Sequence, residues 1–180
     1  MSTYLKIKKG ISKTIVLPDA LQKLCDWIDI NGYVGDCFEL RADDGETIKH
    51  WFGFDDVSHR FGTFGAGPDG SIFSFWVNDE GNQIVVHLGS EGGELHTLTD
   101  TFVDFLRLLS IGHDEIGSAD MNVAPKVSNC ENDKTINSDF RKWVAKEFNV
   151  TIPVKGNEIM NVTNSLFNDW MEAQFERYGE

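Results

Sequence analysis

Gly89-Ser90-Glu91-Gly92 sets a serine among glycines, the residue types of a hydrolase nucleophile elbow. That motif needs one residue between the first glycine and the serine, and here the two are adjacent. A glycine-rich strand connection accounts for the run, because glycine supplies the positive φ that tight turns require. Five histidines, His50, His59, His87, His96 and His113, form neither a two-histidine helical pair nor a Cys/His cluster of zinc spacing. His87 and His96 are placed to face each other across adjacent strands, which without a third ligand reads as a half-buried sheet pair. His113 follows a helix end, where an imidazole interacts favourably with the dipole. Gly62, Gly65, Gly67 and Gly70 are followed by no GK[ST] and by no lysine or arginine before Arg107, so they make no phosphate loop.

Carboxylate pairs are the remaining source of chemistry: Asp43-Asp44, Asp55-Asp56 and Asp79-Glu80 invite a general acid/base reading. Such catalysis needs one carboxyl buried in a cleft, where its pKa rises. All three pairs fall in turn-like sequence, where acids are solvated. The expectation is therefore a chain without catalytic residues or a metal site, whose acids act through their charge.

The elements that would carry these residues are read from periodicity. LPDALQKLCDWIDI spaces Leu21, Leu24, Cys25 and Ile28 as one helical face, with Pro18 in the opening turn and Asn31-Gly32 as the stop. Val34 to Arg41 alternates, Ala42 to Gly45 turns, and Thr47 to Phe52 returns, which predicts a first hairpin. Ile72 to Val77 is apolar on both faces, with Phe73, Phe75 and Val77 on one and Ile72 and Trp76 on the other, as in a strand from a sheet interior. Asn78 to Asn82 is turn chemistry and Gln83 to Leu88 the return strand; Gly89 to Gly93 reverses the chain into Glu94 to Leu98. Thr99 or Asp100 is placed to cap a helix bearing Phe102, Phe105, Leu106 and Leu109 at i, i+3, i+4 and i+7. Two more helices lie in 138–178, with Phe140, Trp143, Val144 and Phe148 inward on one and Phe167, Trp170, Met171 and Phe175 on the other. Residues 117–137 read as a long polar loop. The sum is one α+β domain over 1–180, a mixed or antiparallel sheet of about six strands flanked by helices.

Size and composition agree with a folded core. A chain of 180 residues buries about 70% of its unfolded surface without a staple. Cys25, Cys37 and Cys130 are odd in number and lack CxxC spacing, and no basic region with an apolar signal core opens the chain, so reduced thiols in a cytoplasm are expected. No apolar run is long enough to cross a bilayer.

Charge is unevenly placed. Residues 1–60 hold 10 Asp/Glu against 8 Lys/Arg and residues 121–180 hold 9 against 7, but 61–120 hold 10 against Arg107 alone, which concentrates most of the net charge of −13 there. A field of that sign favours a cationic partner and argues against nucleic acid. Asp43, Asp44, Asp55, Asp56, Asp79, Glu80, Glu91 and Glu94 are the candidate partner-binding residues. Trp51 and Trp76, set among strand-forming residues, are assigned to the core rather than to an interface.

GPDGSIFSFWVNDEGNQIVVHLGSEGGELHTLTDTFVDFLRLLSIG resembles the central signature of the SUKH superfamily, Smi/Knr-like proteins that include many immunity proteins of bacterial toxin systems. The Asp69-Gly70-Ser71 turn, the aromatic strand Phe73 to Trp76, the Gly89 to Gly92 turn and the Phe102 to Leu109 helix follow in that order. The resemblance is closest over 50–112, with Trp51 at an expected aromatic strand end. It implies an α+β fold without cofactor that acts by binding, in a bacterial cytoplasm, a cognate basic protein toxin, such as a nuclease. A regulatory scaffold for a basic segment and a small carboxylate hydrolase are the alternatives.

Overall fold

A computed structural model describes residues 1–54, 56–92, 94–117, 119–125, 137–160 and 164–178. Its frame is a five-stranded antiparallel meander, ordered β1 (Glu39–Leu40), β2 (Phe61–Ala66), β3 (Ile72–Val77), β4 (Gln83–Leu88) and β5 (Leu95–Thr99). The fold is thus α+β as expected, with five strands rather than six and no parallel pair among them.

Both faces of this sheet are covered, as the doubly apolar sequence of β3 requires. On one face Phe64, Phe73, Phe75, Val85 and Leu98 pack beneath four helices: α1 (Thr3–Gly10), α2 (Asp19–Asn31), α4 (Phe102–Leu109) and α5 (Ser138–Glu147). On the other, Phe61, Ile72, Trp76, Ile84, Val86 and Leu88 pack beneath α3 (Thr47–Phe52) and α6 (Leu166–Tyr178). Each buried side chain of this size contributes about 1.5–3 kcal/mol by leaving water. The first face is knit by edge-to-face rings, with Phe38 to Phe105 and Phe64 to Phe105 both at 5.5 Å between centroids.

The helices end as the sequence predicts in α2, where Gly32 takes φ +100° and its N–H donates to Ile28 O at 2.8 Å. The cap of α4 is displaced from the expected Thr99 or Asp100. Thr101 Oγ1 accepts the Asp104 N–H at 3.1 Å, while Thr99 is the last residue of β5. On α5 and α6 the anticipated inner faces are present, with Phe140, Val144, Phe167 and Met171 buried, Trp143, Phe148 and Trp170 half-buried, and Phe175 partly exposed while its ring stacks on Phe52.

The first predicted hairpin does not form. Val34 to Arg41 yields only the two-residue β1, and Thr47 to Phe52 is helical, because Ile48 and Phe52, four residues apart, share the face turned to β2 and β3. Strand β2 has no separate place in the sequence reading because Gly62 and Gly65 weaken the pattern of FGTFGA. Both glycines have a packing reason. A Cβ on Gly65 would lie 2.2 Å from Phe38 Cε2, and one on Gly62 about 3.0 Å from Ile11 Cγ2. The ladder to β3 is irregular between Thr63 and Gly65, so Gly65 marks the bulge where β1 and Phe38 come close. Helix α1 was also without a sequence signal; Ser2 and the Asp29 carboxylate, which accepts from Thr3 N at 3.2 Å, hold its start. Of the polar segment 117–137, residues 118 and 126–136 lie outside the described residues.

Candidate functional site

The strand registers sort the acidic turns to two ends of the sheet. Ala66 pairs with Glu39 and Ile72, Ile72 with Leu88, and Leu88 with Leu95, so the start of β1, the β2–β3 turn and the β4–β5 turn lie in a row along the same end of the sheet. Phe61 pairs with Trp76 and Val77 with Gln83, so the β3–β4 turn stands at the other end, about 17 Å away along a six-residue strand.

The eight candidate acids do not form one face. At the β3–β4 end, Asp79 Oδ1 is 2.6 Å from Arg60 Nη2, and Glu80 Oε2 accepts from Asn82 Nδ2 at 3.2 Å. Glu91 and Glu94 stand at the opposite end, both exposed, and their carboxylates accept no hydrogen bond or ion pair among the described residues. Asp43 and Asp44 lie before α3, where Asp43 Oδ1 accepts from Thr47 Oγ1 at 2.6 Å and Asp44 Oδ1 from Glu46 N at 3.0 Å. The Glu46 N–H holds the Asp44 carboxyl below its ordinary pKa. Asp56 accepts from Tyr178 Oη at 2.9 Å, tying the loop after α3 to the last turn of α6. Asp55 lies outside the described residues.

Three further acids join Glu91 and Glu94. Asp36 sits at the tip of the Gly35–Phe38 turn and Glu39 opens β1, both exposed. Asp69 occupies the β2–β3 turn, and Gly70 there is close enough to the β4–β5 turn that a Cβ on it would stand 3.8 Å from Ser90 Cβ. Burial acts to raise the Asp69 pKa, but bonds from the Ser71 hydroxyl at 2.6 Å and the Ser71 N–H at 3.1 Å outweigh it and hold the carboxyl low. The glycines and Pro68 around Asp36 and Asp69 mark turns in the sequence, but which turns meet depends on pairing with β2. That is why sequence reading omits these acids.

Just inside this end, His87 and His96 are cross-strand partners with ring centroids 5.5 Å apart. His87 is fully buried against Phe73 and Gly117, and its Nδ1 has no partner among the described residues. Burial, with a smaller contribution from His96, pushes its pKa down to about 4 against the opposing pull of Asp69. His96 and His113 are lowered as well, mainly by burial. No group of three His, Cys, Asp or Glu among the described residues is placed to hold a metal. Burial pushes the Cys25 and Cys37 thiols up to about 12, so neither is poised as a nucleophile; Cys130 lies outside the described residues. Among the described residues, every carboxyl with a displaced pKa, namely Asp29, Asp44, Asp69 and Asp120, moves down.

Trp76 is buried in the core, whereas Trp51 belongs to α3 rather than to a strand and is half-buried, its Nε1 donating to Gly89 O at 2.9 Å. That bond pins the glycine turn carrying Glu91 to the helical layer. No helix among the described residues is long and apolar enough to cross a membrane. No family model, curated protein or solved structure matches the chain.

Proposed function

We propose that this chain is a binding protein of the SUKH kind that neutralises a basic protein toxin in the bacterial cytoplasm by docking at the Glu91 end of its sheet, with no bond made or broken. The observation that carries the reading is the row of Asp36, Glu39, Asp69, Glu91 and Glu94 along one end of the sheet, four of the five without a hydrogen-bond or ion-pair partner among the described residues. Carboxylates left unpaired on a stiff frame set a field that speeds encounter with a cationic surface and selects against other partners. Among the described residues, the downward direction of every displaced carboxyl pKa supports binding over acid catalysis, since a general acid at neutral pH needs the opposite shift. The ordered SUKH-like signature over 50–112 supports the choice of a toxin as partner.

The test is co-expression with the polypeptide encoded immediately upstream, followed by co-purification and assay of that polypeptide's toxicity. A stable complex with toxicity lost is the expected result. A complex that leaves toxicity intact overturns neutralisation, and turnover of a small molecule by the pure chain, abolished by one substitution that spares folding, overturns the non-catalytic reading.

A further inference from the structure

Beside the Glu91 end runs a groove of about 480 Å³, between the C-terminal turn of α2 and the start of β1. The residues lining it include Ile28 and Leu40, both partly exposed, and the nearly buried Val34 and Phe38; its ionised groups are Asp36 and Glu39, with no lysine or arginine in the lining. Resting on the proposed function, we infer that this groove seats an arginine side chain of the basic partner. An arginine stem is apolar and its head is a planar cation with five donors, so the two parts suit the groove's apolar lining residues and its two carboxylates respectively. Neither carboxylate accepts a hydrogen bond from a described residue, so no internal bond has to break when a guanidinium arrives. Thr3, also in the lining, is already engaged, its N–H and hydroxyl donating to Asp29.

A second acidic groove, of about 420 Å³, lacks this property. It is lined by Asp43, Asp44 and Glu46, but Thr47 and the Glu46 N–H satisfy the two aspartates, and Lys49 Nζ lies 2.9 Å from Glu46 Oε1. A guest cation there would displace a resident one. The α2–β1 groove asks for no such exchange, which decides between them.

The experiment is an amide NMR titration at low salt with the capped tripeptide Gly-Arg-Gly, beside its citrulline counterpart, which keeps the shape and removes the charge. Saturable shifts confined to Gly35–Glu39 and Ala66–Gly67 are expected, with citrulline at least tenfold weaker. Asp36→Asn with Glu39→Gln should abolish the arginine response, while Glu91→Gln with Glu94→Gln leaves it within twofold. Unfolding curves establish that both pairs remain folded. Equal binding of citrulline, shifts located elsewhere, indifference to the Asp36/Glu39 pair or no saturation would each overturn the assignment. The toxin assay separates this inference from the reading beneath it. Neutralisation unaffected by the Asp36/Glu39 pair removes the groove and leaves immunity standing, and arginine binding without neutralisation does the reverse.

Discussion

At the β3–β4 end of the sheet, acid is answered: Asp79 pairs with Arg60, Glu80 with Asn82, and Gln83 bridges both the N–H and the carbonyl of Val16 at 2.9 and 2.8 Å. At the β4–β5 end, Asp36, Glu39, Glu91 and Glu94 have no such partners among the described residues, and the buried His87 lies just beneath with the half-buried His96 across from it. The two ends have turns of similar composition. What separates them is where the chain brings its bases, and this makes one end a structural joint and leaves four carboxylates at the other without a partner among the described residues.

The contrast is sharpest under acid. The His87 pKa is pushed down to about 4 from an ordinary 6.5, so between those values the unfolded chain holds a proton the folded chain lacks, and stability falls as pH falls. The loss starts as pH drops below about 6.5 and is complete near 4, reaching at most about 3 kcal/mol for a shift of this size. Hydrogen exchange at pH 5 against pH 7 should show faster opening of 85–97 at the His87 end than of 76–83 at the Asp79 end. His87→Leu should flatten the dependence. Uniform acceleration along the sheet would erase the distinction between the ends.

Gly65→Ala probes the packing of the same end. The new Cβ would overlap the Phe38 ring, and overpacking of this kind costs about 1–3 kcal/mol, read as a lower urea midpoint. A cost below about 0.5 kcal/mol would mean that Phe38 and β1 yield easily and that the acidic end is softer than its ring contacts suggest.

Reversing Glu91 and Glu94 to Lys should slow association with a basic partner about tenfold at low salt and flatten the salt dependence, with melting temperature nearly unchanged. The same reversal at Asp79 and Glu80 should move the rate much less. Equal effects would mean that the whole sheet, rather than one end, steers the encounter.

How much of this was legible beforehand depended on whether a signal was local. The doubly apolar pattern of Ile72 to Val77 requires a covered interior strand, and both helical layers follow from it. The cross-strand meeting of His87 and His96 follows from turn length alone. By contrast, TIKHWF is short enough to satisfy strand and helix patterns alike, and the contact of Ile48 and Phe52 with the sheet decides it. Counting charge by thirds located the acid of 61–120 but missed that Arg60, one residue outside that window, neutralises Asp79. Partner choice between charges is a long-range fact of the fold, and so the sequence nominated eight acids where the structure favours a different grouping.

The Arg60–Asp79 pair gives the smallest and most discriminating effect. Its side chains are 27% and 75% exposed, so water and salt screen it, and Asp79→Asn should cost only about 0.2–1 kcal/mol. Arg60→Ala should cost more, because that guanidinium also donates to Val77 O at 3.4 Å and lies 5.6 Å from the centre of the Trp170 ring, contacts that hold α6 to the sheet. An Asp79→Asn variant whose partner on-rate is unchanged while stability dips slightly would place this carboxylate in the joint. If instead its on-rate falls as steeply as that of the Glu91 and Glu94 variants, Arg60 does not neutralise it as seen from a distance, and the sheet has two steering ends.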